Sequence, residues 1–546
     1  MSPFSKLSAL LVVATAATAG CIQPPPSPPT LTVTSPERST VQSTAGQIQV
    51  TGTAAASDDG SPVTSVAVNG TPATVAADGS FSAMVDVPAG VTLLETIATT
   101  AEGGRATDAR AVQAGALSPV NSTIPRAVTA TLSADAFAKI SATAGPLLAQ
   151  LDLPTLLASQ QPMVNLGDDL ANMKLSITKM SLGNATISLT PTDGGLQFAA
   201  TVDAIDVTAK ADYAGSLVPD GSTSVRVTAD SVTVMGTLQV TPNGSAGFTT
   251  TIASPVVTPT NMAIKASGGL VGDLVNLLTG NLGSTIQGFA VGALQTEMTP
   301  LVNDAFGALA GPQQFMVLGH EVDVAASPSA VTFTPAGAVL TLDLTANIAG
   351  GEASPGYVAT TDGAPTMDVG KNSLQLAIAD DLVNQMLAEV HQLGLLDIQL
   401  QGDYGLFDAG QLNMTLPPMV DANTQDGSMK LVIGDMIANF TSGGKPVLSA
   451  ALNATVDVQV APGADGTSMA FQFGKVDVVV NFLDDPTNGL GGPDVSAAVN
   501  AGIALQLDSV TQFLVTVPIP SVEGLSFDNL SLHGDSGYVV IAGDVH

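Results

Sequence analysis

The chain has 546 residues, with 47 acidic side chains against 15 basic ones and a formal charge of −32. That balance repels phosphate backbones and anionic head groups, which argues against nucleic acid and against charge-driven lipopolysaccharide binding. Hydrophobic residues make up 45% and charged residues 11%, which excludes a disordered chain, and the absence of Trp leaves few aromatic platforms for stacking on sugars or bases.

Taken in chain order, Leu7–Ala17 is an apolar run of 11 residues after one basic residue. It has the length of a signal-peptide h-region and is too short to span a bilayer. Thr18, Ala19 and Gly20 lead to Cys21, the one cysteine of the sequence, which can close no intramolecular disulfide and build no multi-thiolate metal site. The stretch ATAGC resembles a bacterial lipobox, although Thr18 stands where that motif prefers Leu. The resemblance implies removal of residues 1–20, acylation of Cys21, and a membrane anchor without a transmembrane helix. Ile22, where an Asp would direct retention, implies the outer membrane of a bacterial envelope. The plain alternative is a secretory signal with an incidental cysteine. Residues 21–30, rich in proline, read as an extended stalk.

Residues 31–115 read as short alternating strands, with hairpin signals at Asn69-Gly70 and Asp78-Gly79. About seven strands in some 85 residues suit an antiparallel sandwich. The run VAVNGTPATVAADGSF (66–81) resembles bacterial Ig-like modules, which implies a spacer.

The rest of the chain contains an internal repeat. VTATLSADAFAKI (128–140) and SLQLAIADDLVNQM (373–386) each join an alternating strand to a helical pattern through Ala-Asp. In the second copy Ile378, Leu382, Met386, Val390 and Leu393 recur every three or four residues, with Asp380 a candidate N-cap and Gly394 a candidate stop. A second echo joins 185–209 to 329–349, two alternating strands around a Thr-Pro turn. Between the copies, 268–310 keeps a 3.6-residue apolar period through Leu274, Leu277, Ile286 and Phe289, interrupted by glycines and Pro300. It predicts a long, bent or broken helix.

This order of elements, with NSLQLAIADDLVNQMLAEVHQLGLLDIQL (372–400) and LSLHGDSGYVVIAGDVH (530–546), resembles the tubular lipid-binding (TULIP) superfamily and its bactericidal/permeability-increasing protein branch. The fold class expected is therefore multidomain. An all-β Ig-like sandwich (31–115) is followed by an α+β tubular region in two halves, 126–312 and 313–546, of curved antiparallel sheets wrapped on long helices. The resemblance implies an acyl chain or similar apolar ligand in the gap between helix and sheet. Candidate lining residues are Phe137, Ile140, Leu147, Leu148, Leu274, Leu277, Ile286 and Phe289 in the first half and Leu382, Met386 and Val390 in the second. Each could equally be plain core, since every two-layer domain needs the same residues. The vertebrate branch's disulfide and basic tip have no counterpart here, so endotoxin killing is not implied.

Catalytic and metal signatures are missing from the sequence: the four histidines are dispersed, and no G-x-S-x-G or G-x-x-x-x-G-K-[ST] occurs. His391, on the amphipathic pattern, suits a surface role better than ligation. GDSG (534–537) falls where a hairpin turn is needed, and DANTQDGS (421–428) is out of register with a calcium loop and reads as a polar turn. The expectation is a non-enzymatic, cofactor-free lipoprotein that binds, sequesters or transfers lipid. The rival is a surface structural or adhesive lipoprotein with closed cores.

Overall fold

The computed structural model describes residues 26–149, 164–167, 172–214, 220–244, 247–267, 313–317, 319–360, 363–402, 407–422, 429–462, 469–484 and 527–545. The chain divides into two compact units, one of residues up to 37, 47–86 and 94–109, the other of 38–46, 87–93 and everything from 110 onward.

In the first unit, β1 (Thr30–Ser35), β3 (Gly46–Ala55), β7 (Ser80–Val87) and β6 (Thr74–Val75) form one sheet in the order β1-β3-β7-β6. Beside it, β4 (Val63–Val68) pairs antiparallel with both β5 (Thr71–Pro72) and the end of β8 (Gly90–Thr100). Burial alternates along β7, where Phe81, Ala83, Val85 and Val87 turn inward, the period expected of a strand with one covered face. The two hairpin signals behave as read. Asn69 (φ 46) and Gly70 (φ 78) make a two-residue turn that registers Val68 against Thr71. Gly79 (φ 84) closes the turn between β6 and β7, where Asp78 accepts both the N–H and the hydroxyl of Ser80.

The second unit begins with β2 (Thr40–Gln42), which pairs in parallel with the end of β9 (Arg105–Ala114). Its central feature is a seven-stranded sheet in the order β19-β20-β21-β11-β23-β31-β30. These strands are β11 (Ile124–Ser133), β19 (Gln313–Val317), β20 (His320–Thr334), β21 (Gly337–Ile348), β23 (Leu374–Ala379), β30 (Phe527–Asp535) and β31 (Tyr538–Val545). The short β10 (Leu117–Ser118) and β22 (Tyr357–Val358) pair with each other.

The repeat seen in the sequence lies at the centre of this sheet. Its two strand copies, β11 and β23, are antiparallel neighbours, with Val128 opposite Ile378, Ala130 opposite Leu376 and Leu132 opposite Leu374. Each runs into its helix: β11 into α1 (Ala134–Ala149) and β23 into α2 (Asp380–Gln392). Each is flanked on its outer side by a hairpin, β20–β21 beside β11 and β30–β31 beside β23. The arrangement has an approximate twofold relation about the β11–β23 pair. The hairpin 320–348 thus lies beside the first copy's strand, on the far side of the division expected at 312/313.

This unit has two further sheets. β12 (Val164–Gly167), β13 (Asn172–Ser181), β15 (Gly195–Ala214), β16 (Gly221–Pro242) and β17 (Phe248–Thr260) run in that order, with β14 (Ala185–Thr192) on β15 and β18 (Ala263–Ser267) on β16. β24 (Ile398–Gln401), β25 (Ala409–Asn413), β27 (Met429–Ser442), β28 (Lys445–Pro462) and β29 (Met469–Asp484) form the other, with β26 (Met419–Asp421) on β27. The second echo is a shared hairpin in two different places, β14–β15 in a flanking sheet and β20–β21 in the central one.

Candidate apolar ligand site

The helices are fastened in different ways. At α1, Ser133 Oγ accepts the Ala136 N–H at 3.2 Å and so caps the first turn. The helix then packs on β14, where Ser141 Oγ accepts the Leu189 N–H at 2.9 Å from the strand edge that β15 does not cover. Phe137 is buried against Phe333, ring centroids 6.5 Å apart, while Ile140 is half-buried.

On β11 the usual order of burial is inverted. Thr129, Thr131 and Ser133 are buried on one face, whereas Val128, Ala130 and Leu132 on the other are only half-buried. The hydroxyl face is covered by the chain near 368, where the Gln375 side chain, opposite Thr131, accepts the Asp368 N–H and donates to its carbonyl, both at 3.0 Å. The apolar face is flanked by buried residues on both neighbours, Leu340 and Leu342 on β21, and Leu376 and Ile378 on β23. An interior strand whose apolar side chains are only half-buried between covered neighbours keeps apolar surface that the described residues leave uncovered. Ile187 and Leu189 of β14 and Val232 of β16 are likewise half-buried against the same core. Leaving such surface open forgoes about 25 cal/mol per Å², so it suits an apolar ligand.

Around α2 the packing is closed. Leu382, Met386 and Val390, three of the expected lining residues, are buried in the main apolar core. The polar face of this helix is buried as well, because its side chains serve the edges of neighbouring strands. A helix rises about 6 Å in four residues, close to the roughly 7 Å that a strand covers in two, so side chains one turn apart can meet every second peptide of a strand. Asn384 does so with Val420, accepting its N–H at 2.8 Å and donating to its carbonyl at 2.9 Å. Asp380, one turn earlier, accepts the Ala422 N–H at 3.1 Å. On the other flank β21 loses β11 as a partner beyond Leu344. There Gln385 donates to the Ala346 carbonyl at 3.1 Å and Glu389 accepts the Ile348 N–H at 2.6 Å.

Asp380 is therefore the first residue of α2 and not its N-cap; the cap position is Ala379, with no side-chain cap. The Asp380 carboxylate is instead spent on Ala422 and on the Thr360 hydroxyl, and Asp381 takes the Thr360 N–H at 2.7 Å. Burial, and then the nearby Asp381 charge, push the Tyr357 phenol up to about 12. Gly394, at φ 66, ends the helix as read, and Leu395 N–H reaches back to the Val390 carbonyl. His391 is half-buried and its Nε2 lies 3.0 Å from the Met414 carbonyl.

A further buried carboxylate, on β27, escaped the sequence reading. Asp435, with its side chain 0% exposed, accepts Arg38 Nη1 at 2.9 Å, the Ser39 N–H at 2.7 Å, the Ala111 N–H at 2.8 Å and Asn453 Nδ2 at 3.1 Å. Its backbone is left-handed, φ 44, at the β27 irregularity between Ile433 and Met436. A lone Asp in an apolar strand is the only sequence signal for it.

Of the other expected site residues, Cys21, Leu274, Leu277, Ile286 and Phe289 lie outside the described residues, as do the signal segment, the first half of the stalk, the long 268–310 pattern and most of 421–428. Leu147 and Leu148 belong to α1, in a part whose side chains are also outside the description. GDSG is a hairpin turn, with Ser536 and Gly537 at φ 52 and 79 between β30 and β31.

No family model and no curated protein matches the chain. Among solved structures it is similar to that of a lipopolysaccharide binding protein, with a TM-score of 0.46 and 14% identity over 78% of this chain and 99% of that one. It is also similar to the solution structure of latherin, with a TM-score of 0.18 and 15% identity over 32% of this chain and 85% of the other. Both likenesses lie below the level at which a common fold follows, so strand pairing and burial within the chain itself carry the functional reading.

Proposed function

We propose that this chain is a lipid-anchored protein of a bacterial envelope that holds an apolar ligand, such as an acyl chain, over β11 of the central sheet. The observation that carries the reading is the half-buried face of Val128, Ala130 and Leu132 between strands whose apolar residues are covered. Each methylene moved from water to such a face contributes about 0.8 kcal/mol, and no charged partner is needed along the tail. The buried carboxylates of α2 and Asp435 accept backbone N–H groups, a structural employment that favours a binder over a catalyst.

In this reading the region after residue 115 is a two-half tube of the TULIP kind, supported by the antiparallel β11–β23 pair and its two flanking hairpins. The halves are then 124–348 and 372–545, each ending in the hairpin beside its own opening strand. Residues 31–115 are an Ig-like spacer, supported by two small sheets with alternating burial. Residues 1–20 are a signal, Cys21 is the acylated anchor and the outer membrane is the site of attachment, supported by the sequence pattern alone. Closed packing around β27 and β28, where Leu431 and Val456 are 0% exposed, is what the rival, a tethered scaffold, would show throughout. The test is to purify residues 22–546 natively, extract with organic solvent and analyse the extract by mass spectrometry. A near-stoichiometric phospholipid, fatty acid or other apolar molecule is expected. An extract that stays empty after incubation with envelope lipids overturns the reading in favour of the scaffold.

A further inference from the structure

Two oxygens on successive turns of α2, Oε1 of Gln385 and Oε1 of Glu389, are buried with no hydrogen-bond partner among the described residues, and both side chains are 0% exposed. The orientation of Gln385 is set by the Ala346 carbonyl, which requires the amide nitrogen at 3.1 Å and sends Oε1 elsewhere. Glu389 uses Oε2 for the Ile348 N–H. Residues four apart on a helix are neighbours, and two buried acceptors without a donor each carry a desolvation cost. A single proton removes both deficits, because a neutral carboxyl is a donor where a carboxylate only accepts.

We propose that Glu389 carries a proton in the native chain and donates it from Oε1 to Oε1 of Gln385, so that the α2–β21 seam is complete when this carboxyl is neutral and strained when it ionises. Among the described residues, the charged and titratable groups on the strands packed against α2 are Asp343 on β21, Tyr357 on β22, Asp421 on β26 and Arg126 on β11, with none on β23; α2 itself adds Asp380, Asp381 and His391. Asp343 is bonded to the Arg126 N–H, Asp380 and Asp381 to Ala422 and Thr360, and the Arg126 side chain acts on Tyr538. Glu352, on the turn after β21, adds a second negative charge near Glu389. That turn also presses on the acid: a Cβ on Gly351 would lie 2.6 Å from Glu389 Cβ, so glycine is required for the close approach. In keeping with this, burial pushes the Glu389 carboxyl up to about 7, against the pull of the Ile348 N–H and with the help of Glu352.

An acid raised in the folded state, from 4.5 when unfolded, stabilises the fold fully below its unfolded value and loses that contribution as pH rises through its folded one. In E389Q the amide oxygen keeps the Ile348 bond and the amide N–H takes the proton's place toward Gln385. The full chain and E389Q are unfolded in denaturant at pH values from about 4 to about 9. The ratio of their unfolding constants should change by up to about tenfold per pH unit between about 4.5 and 7, at the wild type's expense, and then level off. Curves that stay parallel overturn the proposal. Infrared spectra of the wild type at about pH 6, where exposed carboxyls are ionised, provide a reading independent of whether E389Q folds. A protonated-carboxyl carbonyl band that disappears as pH rises past 7 supports the proposal; its absence at that starting pH shows an ionised Glu389 and overturns it.

Discussion

The two copies of one strand–helix repeat have been put to opposite uses. In β23–α2 the strand's Leu376 and Ile378 are covered, and every inward polar side chain of the helix from Asp380 to Glu389 is engaged with a strand edge or with Thr360. In β11–α1 the corresponding apolar face stays half-buried, and among the described residues the helix is held through a capping serine, the Ser141 contact to β14 and the Ser373 hydroxyl, which donates to Asp135 at 3.2 Å. The pairing of β11 with β23 makes the two copies neighbours, so the difference is one of what covers them. A polar side chain buried against a strand edge fixes a helix in one position, whereas the half-buried face of β11 is where the proposed apolar ligand would lie.

The largest expected effect breaks the closed side. Asp435→Ala removes the acceptor for Arg38, for two backbone N–H groups and for Asn453, and it should cost about 3–5 kcal/mol by denaturant melting because it breaks an ion pair whose carboxylate is fully buried and strands the donors around it. Asn384→Leu keeps the volume of the side chain but strands both the N–H and the carbonyl of Val420; a loss of about 2–3 kcal/mol is expected in the same assay. Ala454→Phe, in the covered β28, overpacks a filled core and should cost at least about 1–3 kcal/mol.

Smaller effects are expected on the open side. Ser141→Ala deletes one acceptor for the Leu189 N–H and should cost about 1 kcal/mol. Ala130→Phe should change stability least, by under about 1 kcal/mol, since the ring lies over the half-buried face of β11, yet it should abolish co-purification of the apolar molecule that the extraction is expected to find. A large loss of stability in Ala130→Phe, similar to that of Ala454→Phe, would show that both copies are closed and would remove the distinction between them.

Much of this was readable in the sequence because it depends on local periods. The alternation of β11 and β23, the spacing of Leu382, Met386 and Val390, the stop at Gly394 and the turns at Asn69-Gly70 and Ser536-Gly537 all follow from backbone conformations that single residues prefer. The reading of Asp380 as a cap failed for a definite reason. A cap is the answer a local rule offers for an acid before an apolar helix, but Ala422, more than forty residues away in sequence, competes for the same carboxylate.

Composition and periodicity by themselves determined a β-rich chain of repeated strand–helix units, with the order of those units along it. Tertiary structure decided which faces are covered: that the threonines of β11 go inside while its Val128, Ala130 and Leu132 stay half-open, that Gln385 and Glu389 replace a missing strand at β21, and that Asp435 gathers donors from three distant segments. The physical reason is that period reports which side chains share a face, whereas the cover on that face comes from segments tens to hundreds of residues away in sequence.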